Sequence, residues 1–411
     1  MCYKEIVFMK IAIWLDKDYN PEEGGGFSYY DKLVRSIDAY SFSDSLDICF
    51  VQEGEVTSLG LSKDIIRLHY TYKVSFLKKV LSLLPYIGKI WKRKIKKQRQ
   101  KATLQAYEKQ LTQAGVKFIY YIRQTECALP DFPFVATNWD IGHCSTYAFP
   151  ELIADGEFER RTSFYTKVLP KALLVFAESE EGKNELIKYT TIDERKLKIV
   201  PIFAGNCVTT VVSEQEQADI LATYSLTKDT FFFYPAQFWA HKNHYTLLKS
   251  FAELVHAHPS YKLVLTGSDK GNLNYIKQLA QDWNIADKVL FLGFLPIEHI
   301  NTFFRNATAL IMASHFGPSN MPPLEAMELA CPVIASDTIG HKEMLGKAAL
   351  YFDAMDSNAL LVAMNKMIAE TPRYKQAIVE RQKTSVFNVE YALNQINIHL
   401  KEAVSIRQNW N

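Results

Sequence analysis

ATALIMASHFGPSNMPPLEAMELACPVIAS, residues 307–336, is the segment from which the fold can be read. Leu310-Ile311-Met312 is an unbroken apolar run, the pattern of a strand covered on both faces of a parallel sheet. Gly317 and Pro318 break the run. Ser319 or Asn320 then supplies a helix cap, and Pro322 or Pro323 fits a first turn, where a missing N–H leaves no bond unmade. Leu324 and Met327 face inward, three residues apart, while Glu325 leaves the helix near its N-terminal end. Pro332 stops the helix, and Val333-Ile334-Ala335 starts the next strand. Such a unit points free backbone N–H groups and the positive end of a helix dipole out of the sheet's carboxyl edge, where phosphate binds. A carboxylate there suits the donating hydroxyls of a sugar better than a phosphate. Taken alone, the stretch also fits a packing helix whose Glu325 is merely solvated.

The rest of the 411 residues gives this unit its setting. That length allows two domains with proper cores, and 48% hydrophobic with 22% charged residues is ordinary for a globular chain. A net charge of +2 leaves attraction to anions to local clusters. The six scattered cysteines form no C-x-x-C and fit a reducing compartment; no metal site is expected. No apolar run reaches the roughly 18 residues that cross a bilayer. The N-terminus is too polar for a secretory signal, and its first eight residues read as a dispensable extension.

Strand-like runs at 10–15, 46–51, 116–121, 134–137, 173–177 and 197–200 alternate with helical segments and mark a first α/β domain, residues 1–206. Gly24-Gly25-Gly26, after the first strand, lets the backbone come close to another group, or is a flexible surface loop. Asp140 and His143 fall at a strand's carboxyl end, where chemistry concentrates in open α/β sheets. Residues 207–228 read as a linker with a short helix near 213–224. A second α/β series, 229–387, opens with Phe231-Phe232-Phe233-Tyr234, and a final helix, 388–411, can cross back onto the first domain. The expected fold class is α/β, two doubly wound Rossmann-like domains facing across a cleft.

From Ile65 to Tyr107 there is no Asp or Glu, and eleven Lys or Arg lie between Lys73 and Lys101. Apolar residues recur among them at mostly helical spacing, and Pro85 with Gly88 divides the stretch into two helices. Trp91 among Lys92, Arg93, Lys94, Lys96 and Lys97 fits a helix lying on an anionic lipid surface, or a solvated helix packing one stripe into the domain. Nucleic acid is not an expected partner, because the aromatics fit no base-stacking signature.

PAQFWAHKNH (235–244), FGPSNMPPLEAMELACPVIASD (316–337) and IGHKEMLGKAALYFDAMD (339–356) resemble the retaining glycosyltransferases of family 4, enzymes of the GT-B fold. WDIGHCSTYAFPEL (139–152) and VFAESEEGKNELI (175–187) extend the resemblance into the first domain. It implies transfer of a sugar from a nucleoside-diphosphate sugar to a saccharide or lipid-linked acceptor, without metal or cofactor. The setting implied is surface polysaccharide assembly at the cytoplasmic face of a membrane. By the same resemblance Lys242 contacts the donor's diphosphate, Glu325 the ribose, and His143 the donor sugar. Ser319, Asn320, Met321 and Leu324 would lie along the donor, Gly267 beneath the nucleotide, and Gly25 and Gly26 near its phosphates; Glu343 matches a frequently acidic donor-side position.

Two positions depart from the family pattern. Gly317 stands where the first glutamate of E-x7-E is expected, and Gln237 where an arginine precedes the lysine. The readings left open are a variant donor pocket, a GT-B sugar-nucleotide epimerase, and a catalytically silent partner protein.

Overall fold

The computed structural model describes residues 9–16, 25–54, 60–83, 88–124 and 127–410. The N-terminal extension, Asp18 with the loop as far as Gly24, and Pro85 lie outside them. In the first domain seven parallel strands are β1 (Met9–Leu15), β2 (Leu46–Glu53), β3 (Ile65–Leu68), β4 (Val116–Tyr121), β5 (Phe134–Asn138), β6 (Val175–Ala177) and β7 (Leu197–Ile199). They order as β3-β2-β1-β4-β5-β6-β7. β1 is read from its apolar run, Met9 and Ile11 to Leu15 being buried. β3 escapes that reading because it is a four-residue edge strand with Arg67 exposed.

Helices α1 (Gly25–Ala39), α2 (Phe76–Leu83), α3 (Gly88–Gln113), α4 (Gly142–Ser145), α5 (Pro150–Ile153), α6 (Glu157–Lys167) and α7 (Glu180–Tyr189) belong to this half. Ser179 caps α7 by accepting from the Gly182 N–H at 3.0 Å.

The segment read as a linker holds the short helix expected of it. Ser213 and Glu216 form a capping box that starts α8 (Glu214–Thr223), and α8 packs on the second domain. That domain holds β8 (Phe231–Pro235), β9 (Lys262–Thr266), β10 (Val289–Phe291), β11 (Ala309–Met312), β12 (Val333–Ser336) and β13 (Leu350–Phe352), ordered β10-β9-β8-β11-β12-β13. Its helices are α9 (His244–Ala257), α10 (Leu273–Asp282), α11 (Ile297–Asn306), α12 (Met321–Glu328), α13 (Ile339–Leu345) and α14 (Ser357–Thr384). Phe231 to Tyr234 are fully buried, as a strand flanked by helices on both faces requires. α14 bends at Glu370, two residues before Pro372, which interrupts the hydrogen-bond ladder. α12 ends at Glu328, four residues short of Pro332, because Ala330 takes a left-handed conformation with φ +54°.

α15 (Val389–Arg407) returns to the first domain. Asn397 Oδ1 accepts from both the N–H and the hydroxyl of Ser43 at 3.0 and 3.1 Å, and Lys198 pairs with Glu402 at 2.7 Å. Ile396 and Leu400 are fully buried there, each contributing roughly 1.5–3 kcal/mol. The chain therefore crosses between the domains twice. In each sheet the strand order reverses at one point, between β1 and β4 and between β8 and β11. The carboxyl ends at those points are where an open α/β sheet receives a ligand.

Candidate functional site

Lys242 and the 314–320 loop meet at the β8/β11 reversal. After β8 the chain makes a single 3-10 turn, Ala240–Lys242, and Asn243 leaves it in the left-handed region at φ +57°. The Tyr234 hydroxyl donates to the Lys242 carbonyl at 2.8 Å. Asn243 Nδ2 donates to the carbonyls of Ala313 and Ala354 at 3.2 and 2.8 Å. The turn is thus tied to the strands on either side.

Lys242 Nζ is half-buried and donates to Asn320 Oδ1 at 3.1 Å. Asn320 stands at the N-cap of α12 without capping it, its side chain being engaged elsewhere. Its Nδ2 lies 3.1 Å from His341 Nε2, and His341 Nδ1 lies 2.8 Å from the Ser336 carbonyl. That carbonyl can only accept, so Nδ1 carries the proton, Nε2 is bare, and Asn320 must turn its amide NH2 to His341 and its oxygen to Lys242. Burial pushes His341 down to about 4, which keeps the ring neutral in this role. Burial also pushes the Lys242 ammonium down to about 8, against the opposing pull of Asp140 and Glu151. Among the described residues no carboxylate lies within ion-pair distance of it.

Gly317 has φ +121°, and a Cβ built there would stand 2.8 Å from Asn320 Nδ2. The acid expected at this position is replaced by the Asn320 amide, which fills its space. A cavity of ≈ 860 Å³ is bounded here by Lys242, Gly317, Ser319 and Asn320, and from the first domain by Trp139, Asp140 and Arg161. It shares Pro235, Ala236, Gln237, Met321 and Pro322 with a second, more apolar cavity of ≈ 320 Å³, so the two are contiguous. Gly267 lies in the wall of the smaller one. With φ +130° and a Cβ position 2.5 Å from the Ala236 carbonyl, it can be only glycine. Gln237 Oε1 accepts from the Trp239 indole at 2.9 Å and is shared by both cavities.

Glu325 borders the smaller cavity and is 7% exposed. Burial raises its carboxyl above the ordinary value, against hydrogen bonds from Cys207 and the Gly205 N–H at the domain crossing and the charge of Lys32. Phe27 and Ser28, just after Gly25 and Gly26 open α1, line the same cavity from the first domain. Among the described residues no group of three or more His, Cys, Asp or Glu is arranged to hold a metal.

Three residues expected at the donor lie elsewhere. Leu324 is on the inward face of α12, fully buried in the core. Glu343 points across to the first domain, where its carboxylate accepts from the Glu180 and Glu181 N–H groups at 2.9 and 3.0 Å and so closes the N-terminus of α7. His143 is turned by α4 into a nest of aromatic rings, 5.5 Å from Phe158 and 5.3 Å from Tyr165, and borders neither cavity. Both its ring nitrogens are buried without a partner among the described residues, and burial holds its pKa down at about 4.

Sequence reading missed His341, Arg161 and Glu151. Arg161 pairs with Asp140 at 2.6 Å, and both line the larger cavity. Glu151, from α5, reaches across the cleft to His241: Oε1 accepts from its N–H at 3.0 Å and lies 2.5 Å from its Nδ1. These contacts join segments 21 to 90 residues apart, so no local motif announces them.

The basic stretch forms two helices that pack on each other, as its breakers imply. On α3 only Gly88, Tyr107 and Leu111 are buried, so its last turns hold it to the domain while the segment from Lys89 to Lys101 has little beneath it. Lys92, Arg93, Lys94, Lys96 and Lys97 are exposed; Trp91 is half-buried, with Lys94 Nζ 5.1 Å over its ring. Three consecutive cations spread around the helix rather than along one face. The exposed apolar groups are Phe76 and Leu83 on α2 and Ile90 on α3. No helix among the described residues is long and apolar enough to cross a membrane.

Residues 215–384 match the family model of the group 1 glycosyl transferases. O-antigen chain mannosyltransferase RfbU of Salmonella typhimurium is 29% identical over 198 residues, 48% of this chain and 51% of that protein. The chain thus matches about half the length of that curated relative. Among solved structures, the sucrose-phosphate synthase of Thermosynechococcus elongatus superposes with a TM-score of 0.70 at 18% identity, over 97% of this chain and 100% of that one. Anabaena HepE in complex with UDP and glucose does so at 0.68 and 15%, over 96% and 100%. The chain has the α/β GT-B fold of two Rossmann-like domains, and its second domain is similar to the group 1 glycosyl transferases.

Proposed function

We propose that the protein transfers a hexose from a nucleoside-diphosphate sugar to a saccharide acceptor in the assembly of a surface polysaccharide. One observation carries the proposal: Lys242, a half-buried cation without a carboxylate partner among the described residues, is held by Asn320 on the wall of a cavity at the strand-order reversal. Burial lowers its pKa only to about 8, so near neutral pH it keeps its charge, and an arriving anion would be its counter-charge. A diphosphate leaving group is such an anion. It gains charge as the glycosidic bond breaks, and a preorganised ammonium stabilises that charge more in the transition state than in the ground state. The smaller apolar cavity takes the base and ribose, with Glu325 accepting from ribose hydroxyls. The larger one takes the sugar, and its first-domain wall the acceptor.

The similarity to an O-antigen mannosyltransferase supports a sugar-polymer product, and that of the fold to a UDP-and-glucose complex supports a nucleotide sugar as donor. Retention and independence of metal belong to the same proposal, resting on the family resemblance. The intact Lys242–Asn320–His341 chain favours a working enzyme over a silent partner, since a silent relative would have no use for a half-buried ammonium that has no carboxylate partner among the described residues. The acid-free stretch on α2 and α3 supports docking on the anionic inner face of a membrane, where a lipid-linked acceptor would be presented.

The test is release of nucleoside diphosphate by the purified protein from a panel of GDP- and UDP-sugars, with and without saccharide acceptors. GDP-mannose is the first donor to try. Absence of binding and release across the panel would overturn the proposal.

A further inference from the structure

We propose that Glu151 is a positioning residue through which the first domain sets the Lys242 turn of the second, so that the phosphate-facing ammonium is fully placed only when the two halves are closed. This rests on the glycosyl-transfer reading above.

Glu151 and His241 are both buried, and one carboxylate oxygen serves two groups of His241: its backbone N–H at 3.0 Å and its Nδ1 at 2.5 Å. His241 is the middle residue of the 3-10 turn and directly precedes Lys242. Fixing its N–H fixes the Ala240–His241 peptide plane, one residue before Lys242. Around this contact the two domains interlock. The His241 carbonyl accepts from the His315 N–H at 2.9 Å, and the His241 ring lies 4.3 Å from Phe316, so the turn is joined to the loop that carries Gly317 and Asn320. Phe149, two residues before Glu151, stacks on His315 at 5.3 Å. One short first-domain segment, 149–151, therefore grips both second-domain segments that form the phosphate side of the cavity.

The contact joins one domain to the other, so opening the cleft breaks it and returns the Glu151 carboxylate to water. In the open form the turn keeps its ties to Tyr234 and Asn243 but loses its hold from Glu151. The second domain can then bind a nucleotide with the ammonium loosely set, and closure completes it.

The test compares Glu151→Ala and Glu151→Gln with the wild-type full chain. Binding of UDP and GDP is measured by calorimetry, and turnover with the donor that the wild type uses. The expected result for Glu151→Ala is a fall in kcat of about 100-fold, the scale of a misplaced reacting group, with nucleotide affinity changed less than about 2-fold. Glu151→Gln keeps an oxygen for the His241 N–H and should recover most of the rate. Unchanged kcat in Glu151→Ala would overturn the proposal, as would equal losses in both variants that track a lowered melting temperature. A wild-type chain that neither binds nor turns over any nucleotide sugar instead overturns the transfer reading itself.

Discussion

Asn320 shows how one side chain can leave an expected local job for a distant one. It stands where a helix cap belongs, yet its amide joins His341 to Lys242. Gly317 follows from this, since any side chain there would strike the amide. Gly317→Glu, which restores the family's acid, is therefore expected to lose activity; Gly317→Ala already should cost roughly 1–3 kcal/mol in a urea titration, from the left-handed backbone and the clash. Lys242→Ala should lower kcat by about 100- to 1,000-fold, read in the diphosphate-release assay. The sign of the pH effect follows from burial. With the free-enzyme pKa near 8, the ammonium is lost as pH rises through that value, so kcat/KM should fall on the alkaline side with a midpoint near 8. Lys242→Arg, always charged, should lose that limb even if its rate is lower.

Glu178 gives a second prediction from a single residue. It is 2% exposed, both carboxylate oxygens lack a partner among the described residues, and burial raises its pKa well above the ordinary value. A carboxyl raised on folding stabilises least above its unfolded pKa, so its cost to the fold grows with pH from about 4.5 upward. Glu178→Gln should raise the urea midpoint more at pH 8 than at pH 5. Lys242 and Gly267 were singled out in the sequence by the family resemblance, and in the structure both follow a strand's carboxyl end, where open α/β sheets receive ligands. Leu324 and Glu343 were misplaced: a motif fixes neighbourhood along the chain, but the turn of its helix decides which way each side chain faces.

Among the elements, strands were the most readable, since β8 and β11 are apolar on both faces and cannot be surface. Edge strand β3 was not, because so short and polar an element is held by neighbours that the sequence does not name, whereas the short helix expected near 213–224 is α8. The α2–α3 pair carries its prediction as a unit. Replacing Lys92, Arg93, Lys94, Lys96 and Lys97 with Gln should weaken sedimentation with phosphatidylserine-containing vesicles by roughly 1 kcal/mol per charge, and added salt should erase the difference. Binding that ignores both changes would leave α3 as a solvated helix.

For the molecule as a whole, the cleft is spanned by carboxylates in both directions: Glu151 reaches the second domain, and Glu343 the N-terminus of α7 in the first. The sequence revealed two facing domains but not these spans, because each joins residues whose only relation is the closed geometry. The double crossing of the chain has an implication for how such a protein can be altered. Residues 208–387 are, in topology, an insert between the first domain and its own last helix, and the family match at 215–384 falls inside that insert. The second domain is thus an exchangeable cassette with two seams. On the proposed transfer reaction, a graft that replaces both seams together, leaving α15 on its native partner, should hand the same acceptor a different sugar; a single cut would strand α15 from the surface it covers.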